Sequence, residues 1–438
     1  MKFIPIVSLL VFIQLTSKAQ LYFPPSGTTT WDTIAPSNLG WCQNKIDSLY
    51  DFLNSKNSKA FILLKDGKIV LEKYFGTHTP SSVWYWASAG KTLTAMAVGI
   101  AQQESYLNIH DTTSSYLGNG WTSMPLSQEQ KITIKHQLSM TTGLDDGVPD
   151  PYCTLSSCLV YKADTASRWA YHNAPYTLLD SVIEMATGQT LNAYVTQKIK
   201  TPTGMDGLFI PSGYNNTFYS TARSMARYGL LLLNKGVWNT TPILTDTAYF
   251  HAMTNSSQSL NPSYGYLTWL NGKSSYMIPQ SQLSFTGPLN PHAPSDMFAA
   301  MGKNAQFIDV VPSQNLVWIR MGDAPDSSQV PFLLNDAIWE KINQLSCFPI
   351  AVSEQQSDKN ITLFPNPAKQ FIQLQIPNPI ATTLYKYSIH DVFGRSILSG
   401  TMHSSNTTIE VDDLENGVYF IEVSSDEKRS CMKFIVQH

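Results

Sequence analysis

The stretch WYWASAGKTLTAMAVGI, residues 84–100, is the part of the chain on which the fold and the chemistry turn. Three aromatics give way to small residues, and from Ser88 onward Ala, Leu and Met recur on a 3.6-residue period. That pattern predicts a helix from Ser88 to about residue 100. A serine at a helix start sits beside backbone N–H groups that lack an intrahelical partner, at the positive end of the helix dipole. Three residues on, Lys91 returns to the same face, within reach of the hydroxyl. Desolvation in an apolar pocket favours the neutral amine, which can accept the serine proton. A nucleophilic serine needs such a base, and a donor for the oxyanion.

The tetrad alone is weak. Ser-x-x-Lys recurs at Ser425 with Lys428 and at Ser430 with Lys433. For any single match the bland reading is a helix cap and a solvated lysine. Gly90-Lys91-Thr92 also imitates the end of a phosphate loop, but that loop needs glycine at position 85, where the chain has Tyr. The nucleotide reading is rejected.

Working outward, apolar runs at 60–64 and 68–74 flank Asp66-Gly67, a strong hairpin signal, after a helix at 42–54. Further helices are expected at 136–140, 175–186, 191–199 and 221–233. Strands return at 264–270, 297–301, 306–311 and 316–321, and a helix at 337–345 closes the region. Strands at both ends with helices between predict a mixed α/β (α+β) fold: one antiparallel sheet flanked by helices, with an inserted helical lobe. Residues 350–359 (IAVSEQQSDK through Lys359) are polar and read as a linker. Beyond them short alternating strands separated by Pro, Gly and Asn predict a small all-β sandwich over 360–438.

Tyr171-His172-Asn173 is the second candidate. A phenol can relay a proton between nucleophile and leaving group, and a side-chain amide can hold a substrate carbonyl. Tyr-x-Asn also occurs at Tyr106 with Asn108 and at Tyr214 with Asn216, so spacing does not choose between them. Tyr171 is preferred because it precedes a helix and ends a link, an exposed place for a functional side chain. His136 reads as structural. His172 reads equally as pocket lining or as an outward residue. Asp145 and Asp146 read as solvated loop carboxylates. Trp84 and Trp86 read as substrate wall or core alike. The nine His show no HExxH and no paired spacing, so no metal or other cofactor is expected.

Residues 1–19 have one Lys, an apolar run to about Leu15 and a small-x-small pattern ending at Ala19, the three parts of an export signal. The run is too short to span a bilayer. In an oxidising compartment Cys153 and Cys158 are close enough to bridge, Cys42 and Cys347 are a further candidate pair, and Cys431 is left over. The 438 residues are 43% hydrophobic and only 14% charged, with a net charge of −3. No basic footprint for nucleic acid is present.

Ser88-x-x-Lys91 and Tyr171-x-Asn173, with the flanks ITIKHQLSMTTGLDD (132–146), TPTGM (201–205) and TARSMARYGLLLLNKG (221–236), resemble the class C β-lactamase-like serine hydrolases. That family includes penicillin-recognising peptidases, esterases and 6-aminohexanoate-dimer-type amidases. The resemblance spans about residues 40–345. It implies a β-lactamase/transpeptidase-like fold with the active site between two lobes, in a domain over 20–349. Ser88 would be acylated, Lys91 and Tyr171 would share the base and acid roles in either order, and Asn173 would position substrate. A departure lies at DMFAAMGKNAQFIDVVP (296–312), which lacks the Lys/His-Thr/Ser-Gly triplet that faces the serine in β-lactamases. It looks more like the Ala-x-Gly-x-x-x-Gln variant of the amidase and esterase branch, with backbone N–H near Met301 and Gly302 completing an oxyanion hole. The implied activity is cleavage of a small-molecule amide or ester. A D-amino-acid peptidase, a β-lactamase, and a catalytically silent surface binding protein on the same fold are the alternatives. LFPNPAKQFIQLQI (363–376), SIHDVFGRSILSG (388–400) and VDDLENGVYFIEV (411–423) resemble the C-terminal sorting domain of type IX secretion cargo. That likeness implies the type IX machinery as partner and a secreted or cell-surface location.

Overall fold

The computed structural model describes residues 21–326, 328, 330–347, 361–376, 385–391, 396–402, 404–425 and 429–438. The expected export signal and the linker at 350–359 lie outside the described residues. The chain divides into two compact units, Met1–Ser346 and Cys347–His438.

The first unit opens with helix α1 (Gln43–Ser55), which buries Ile46, Leu49 and Leu53 at i, i+3 and i+7. The hairpin β1 (Ser58–Lys65) and β2 (Lys68–Tyr74) follows. Asp66 (φ +51°) and Gly67 (φ +81°) both take left-handed backbone at its turn, as the tight two-residue connection requires. Next come β3 (Val83–Tyr85), α2 (Lys91–Gln103) and, after a stretch of loops and short helices, α3 (Asn173–Thr187). Strands β4 (Leu208–Ser212) and β5 (Asn215–Thr221) lead into α4 (Ala222–Leu233). Strands β6 (Trp269–Leu270), β7 (Phe298–Gly302), β8 (Gln306–Val311) and β9 (Leu316–Gly322) precede α5 (Phe332–Asn343).

The main sheet has six strands in the order β2-β1-β9-β8-β7-β6, each neighbour antiparallel. Its two ends in sequence thus meet at the β1–β9 pairing, from Lys65 opposite Leu316 to Ser58 opposite Gly322. Strands β7, β8 and β9 are buried along their whole length because helices cover both faces. On one face Gly229 of α4 lies against Val317 and Ile308. On the other, the side chains of Trp339 and Asn335 in α5 donate hydrogen bonds to Asp309, one residue on from Ile308. A separate sheet, β3-β5-β4, pairs Tyr85 with Tyr219 and aims the chain toward Ser88. The strand expected over 264–270 shrinks to Trp269–Leu270, because Leu267 (φ +51°) turns the chain and bridges Tyr264 back to Trp269.

In the second unit, Thr362–Phe364, Phe371–Gln375 and Asn406–Glu410 form one sheet. Tyr385–His390, Ser396–Met402, Gly417–Ser424 and Arg429–Val436 form another. Ile372, Leu374, Ile389, Ile409, Ile421 and Phe434 share a single core between them, the sandwich that the alternating pattern predicts. Cys153 is bonded to Cys158, Cys42 and Cys347 are disulfide-bonded, and Cys431 is free.

Candidate active site

Ser88 reaches its position through a tightly held turn. Past β3, the Trp86 backbone N–H donates to the Phe218 carbonyl at 2.8 Å, and the indole N–H donates to Ser220 Oγ at 2.8 Å. The Trp86 ring packs edge-on against Phe218 and is fully buried. Ala87 then adopts φ +47°, a left-handed backbone that a residue with a Cβ rarely takes. One 3-10 turn, Ala87–Gly90, leads directly into α2. Ser88 stays partly exposed while its neighbours Ala89 and Gly90 are buried.

The first residue of α2 is Lys91, only 2% exposed. Its Nζ lies 2.8 Å from Ser88 Oγ and donates to Asn173 Oδ1 at 2.7 Å. The rings of Tyr171 and Tyr176 flank it, with centroids 5.1 and 4.1 Å away. Burial drives Lys91 down from its ordinary value to about 7, against the pull of the Asp180 carboxylate. Burial thus favours the free amine facing the serine.

Tyr171 does not occupy the exposed place expected of it. It is buried, stacked on Trp269 at 5.6 Å and packed against Trp169 and Tyr264. Burial pushes its phenol well above the ordinary tyrosine value, while a hydrogen bond with Ser88 pulls the other way. Tyr171 thus stays protonated at neutral pH. Asn173, expected to hold substrate, begins α3 with its amide oxygen already engaged by Lys91.

Gly302 ends β7 against the serine turn. A Cβ there would stand 2.6 Å from the Trp86 carbonyl oxygen, 2.8 Å from the Ala89 nitrogen and 2.9 Å from the Ser88 nitrogen. Only glycine permits that approach. Met301, one residue before, is buried opposite Phe307. The β7–β8 turn is braced on both sides. Asn304 Nδ2 donates to the Tyr85 hydroxyl at 2.6 Å. Arg320, fully buried, donates to the carbonyls of Asn304 (3.0 Å) and Ala305 (2.7 Å), to that of Lys56, and to Ser58 Oγ (2.8 Å).

The remaining sequence candidates fall outside this cluster. The His136 ring closes a capping box with Thr133. His172 is buried, not outward, with neither ring nitrogen bonded, and burial pushes it down to about 4. Asp145 and Asp146 are not simply solvated: they pair with Lys162 (3.4 Å) and Arg168 (2.6 Å). Trp84 is half-buried, its ring under Lys59, whereas Trp86 is core. No group of ligands suited to a metal ion occurs among the described residues. Sequence reasoning missed Tyr176, Asp180 and Arg320. For the first two the signal was present: they fall three and seven residues after Asn173, on the same face of its helix.

A family model described as Beta-lactamase matches residues 56–340, and one described as Secretion system C-terminal sorting domain matches residues 362–437. An uncharacterised protein of Alkalihalophilus pseudofirmus is 23% identical over 324 residues, covering 63% of this chain and 89% of that protein. A structure from Bacillus anthracis assigned as a 6-aminohexanoate-dimer hydrolase superposes with a TM-score of 0.53 at 19% identity, over 74% of this chain and 89% of its own. One from Bacteroides dorei assigned as a beta-lactamase superposes with a TM-score of 0.56 at 15% identity, over 70% and 99%.

Proposed function

The chain belongs to the beta-lactamase family, and from that premise we propose that it is a serine hydrolase cleaving an amide or ester bond through an acyl-enzyme on Ser88. The observation that carries this reading is the buried Lys91 amine, lowered to about 7 and 2.8 Å from Ser88 Oγ. As Oγ attacks the substrate carbonyl carbon, its proton passes to the Lys91 lone pair and the carbonyl electrons move onto oxygen. The resulting oxyanion sits by the backbone N–H of Ser88 and the Met301–Gly302 edge. Tyr171, protonated at neutral pH, gives its proton to the leaving nitrogen or oxygen and is resupplied from Lys91. Water then attacks the acyl carbon by the same relay, which frees the acid and restores Ser88. Asn173 holds the amine in line throughout. This assigns Lys91 as base and Tyr171 as acid, a division that sequence left open.

The strand facing the serine offers Ala300-Met301-Gly302 where a β-lactam carboxylate would want a cation and a hydroxyl. Short amides and esters are therefore favoured over β-lactams. The sorting-domain match, together with the signal-like residues 1–19, supports export through the type IX machinery to the cell surface or beyond. The two compact units support a hydrolase domain over 20–349 and a sorting domain over 360–438.

Intact mass of the full chain after exposure to a serine-reactive fluorophosphonate tests the reading. A single adduct is expected on the wild type and none on Ser88→Ala. A folded wild type that takes no adduct overturns it and leaves a silent binding protein on this fold.

A further inference from the structure

Asn173, Tyr176 and Asp180 fall at i, i+3 and i+7 on α3, so one buried face carries the amide that holds Lys91, a phenol and a carboxyl group. Asp180 stands two turns, about 10 Å along the axis, beyond Asn173. It is 8% exposed, and Asn216 of β5 donates to its Oδ2 at 3.1 Å. Thr94 of α2 stands against the same carboxyl group as a second, hydroxyl-bearing neighbour. A carboxyl group buried in this way is costly unless it serves a charge nearby. Of the charged side chains packed around it, Lys91 is the cation that acts on it, and Asp180 is in turn the carboxylate that acts on Lys91.

We infer that Asp180 is a positioning residue for the Lys91 proton: its carboxylate, steadied by Asn216, holds the ammonium form across Tyr176 and so sets the acidity at which Lys91 becomes a base. The inference rests on the serine-hydrolase reading of the same site. Burial raises Asp180 to about 7, against the pull of Asn216 and Lys91, beside the value to which it lowers Lys91, so the two titrate as one unit and not as independent groups. The other titratable groups facing the pair are Tyr171 from the loop before α3, Tyr176 and Glu184 from α3 itself, and Tyr264 from the segment before β6, on which Tyr171 and Tyr176 act. Burial lifts Tyr171, Tyr176 and Tyr264, leaving them neutral across the working range. Asp145 and Asp146 act on His172, and neither is among the groups acting on Lys91.

The sign follows from the charges. Removing the carboxylate withdraws support from the ammonium, so the free amine survives to lower pH. The experiment is the rate of Ser88 labelling by a fluorophosphonate, measured on the full chain from mildly acid to mildly alkaline pH. For Asp180→Asn the acid limb should move to lower pH by about 0.5–1 unit, with Asp180→Glu staying near wild type. Asn216→Leu, which deprives the carboxylate of its donor and favours its protonated form, should move the limb the same way. It decides the matter if Asp180→Asn fails to fold. A purely structural role would lower the amount of active protein and leave the limb in place. Limbs that coincide with wild type in folded variants overturn the inference while the hydrolase reading stands. A wild type that never labels overturns that reading, and this inference with it.

Discussion

Lys91 and Tyr171 are two buried groups on which the same physical effect has opposite chemical results. Burial disfavours charge on both, which favours an amine able to accept a proton on the one and a phenol able to give one on the other. Tyr171→Phe keeps the ring packing against Trp269 and Tyr264 while removing the proton. Hydrolysis of an amide should fall by about 10²–10⁴, the usual worth of a positioned acid or base. Labelling by a fluorophosphonate should fall far less, because fluoride leaves without needing a proton; equal losses in the two assays would exclude the acid role. The Ser88–Lys91 step is local and therefore visible, and the flanking blocks at 132–146, 201–205 and 221–236 are what separate it from the same spacing at Ser425 and Ser430. The burial of Tyr171 is not visible, since Tyr264 and Trp269 arrive from about a hundred residues away in sequence. Asp180 is not legible, because a single carboxylate among the apolar positions of α3 does not show in sequence which group of another helix lies beside it.

At the scale of elements, the β7–β8 hairpin matters most, since it carries Gly302 to the serine turn. Its brace is Arg320, whose guanidinium serves carbonyls on both the hairpin and the end of α1. Arg320→Met takes its donor from the buried Ala305 carbonyl, at about 1–3 kcal/mol, and leaves the part-buried Asn304 carbonyl with Gln306 Nε2 alone. Urea unfolding should show the loss, and Ser88 labelling should slow in whatever fraction remains folded. Asp309 pins β8 to α5 in a different way, through Asn335 and Trp339 (3.0 and 2.7 Å). Burial raises it from 3.8 to about 7. Between those values the folded protein keeps a proton that the unfolded chain has released. The contribution is therefore whole below the lower value and lost as pH rises through the upper one. Asp309→Asn, uncharged throughout, should show a flatter fall of unfolding free energy from acid to neutral pH. Equal slopes would mean that Asp309 does not titrate in this range. The Asp66-Gly67 hairpin was readable because a two-residue turn writes its own signal. The loss of the 264–270 strand was not, because it depends on a left-handed Leu267 that no pattern announces.

For the whole molecule, the division into an α/β unit and a β-sandwich was visible as a change of texture: helical periods up to about 345, then short alternating strands. What composition did not disclose is where its few charges went. With only 14% charged residues, the chain still places Lys91, Asp180, Asp309 and Arg320 in the interior. Ions in solution screen exposed charges within about 10 Å at ordinary ionic strength but hardly reach buried ones. Exposed pairs, such as Lys68 with Asp32, soften as sodium chloride rises. The Ser88–Lys91 centre does not. The acid limb of Ser88 labelling should therefore stay in place between low and high sodium chloride, and a limb that moves with salt would show that solvent ions reach the centre.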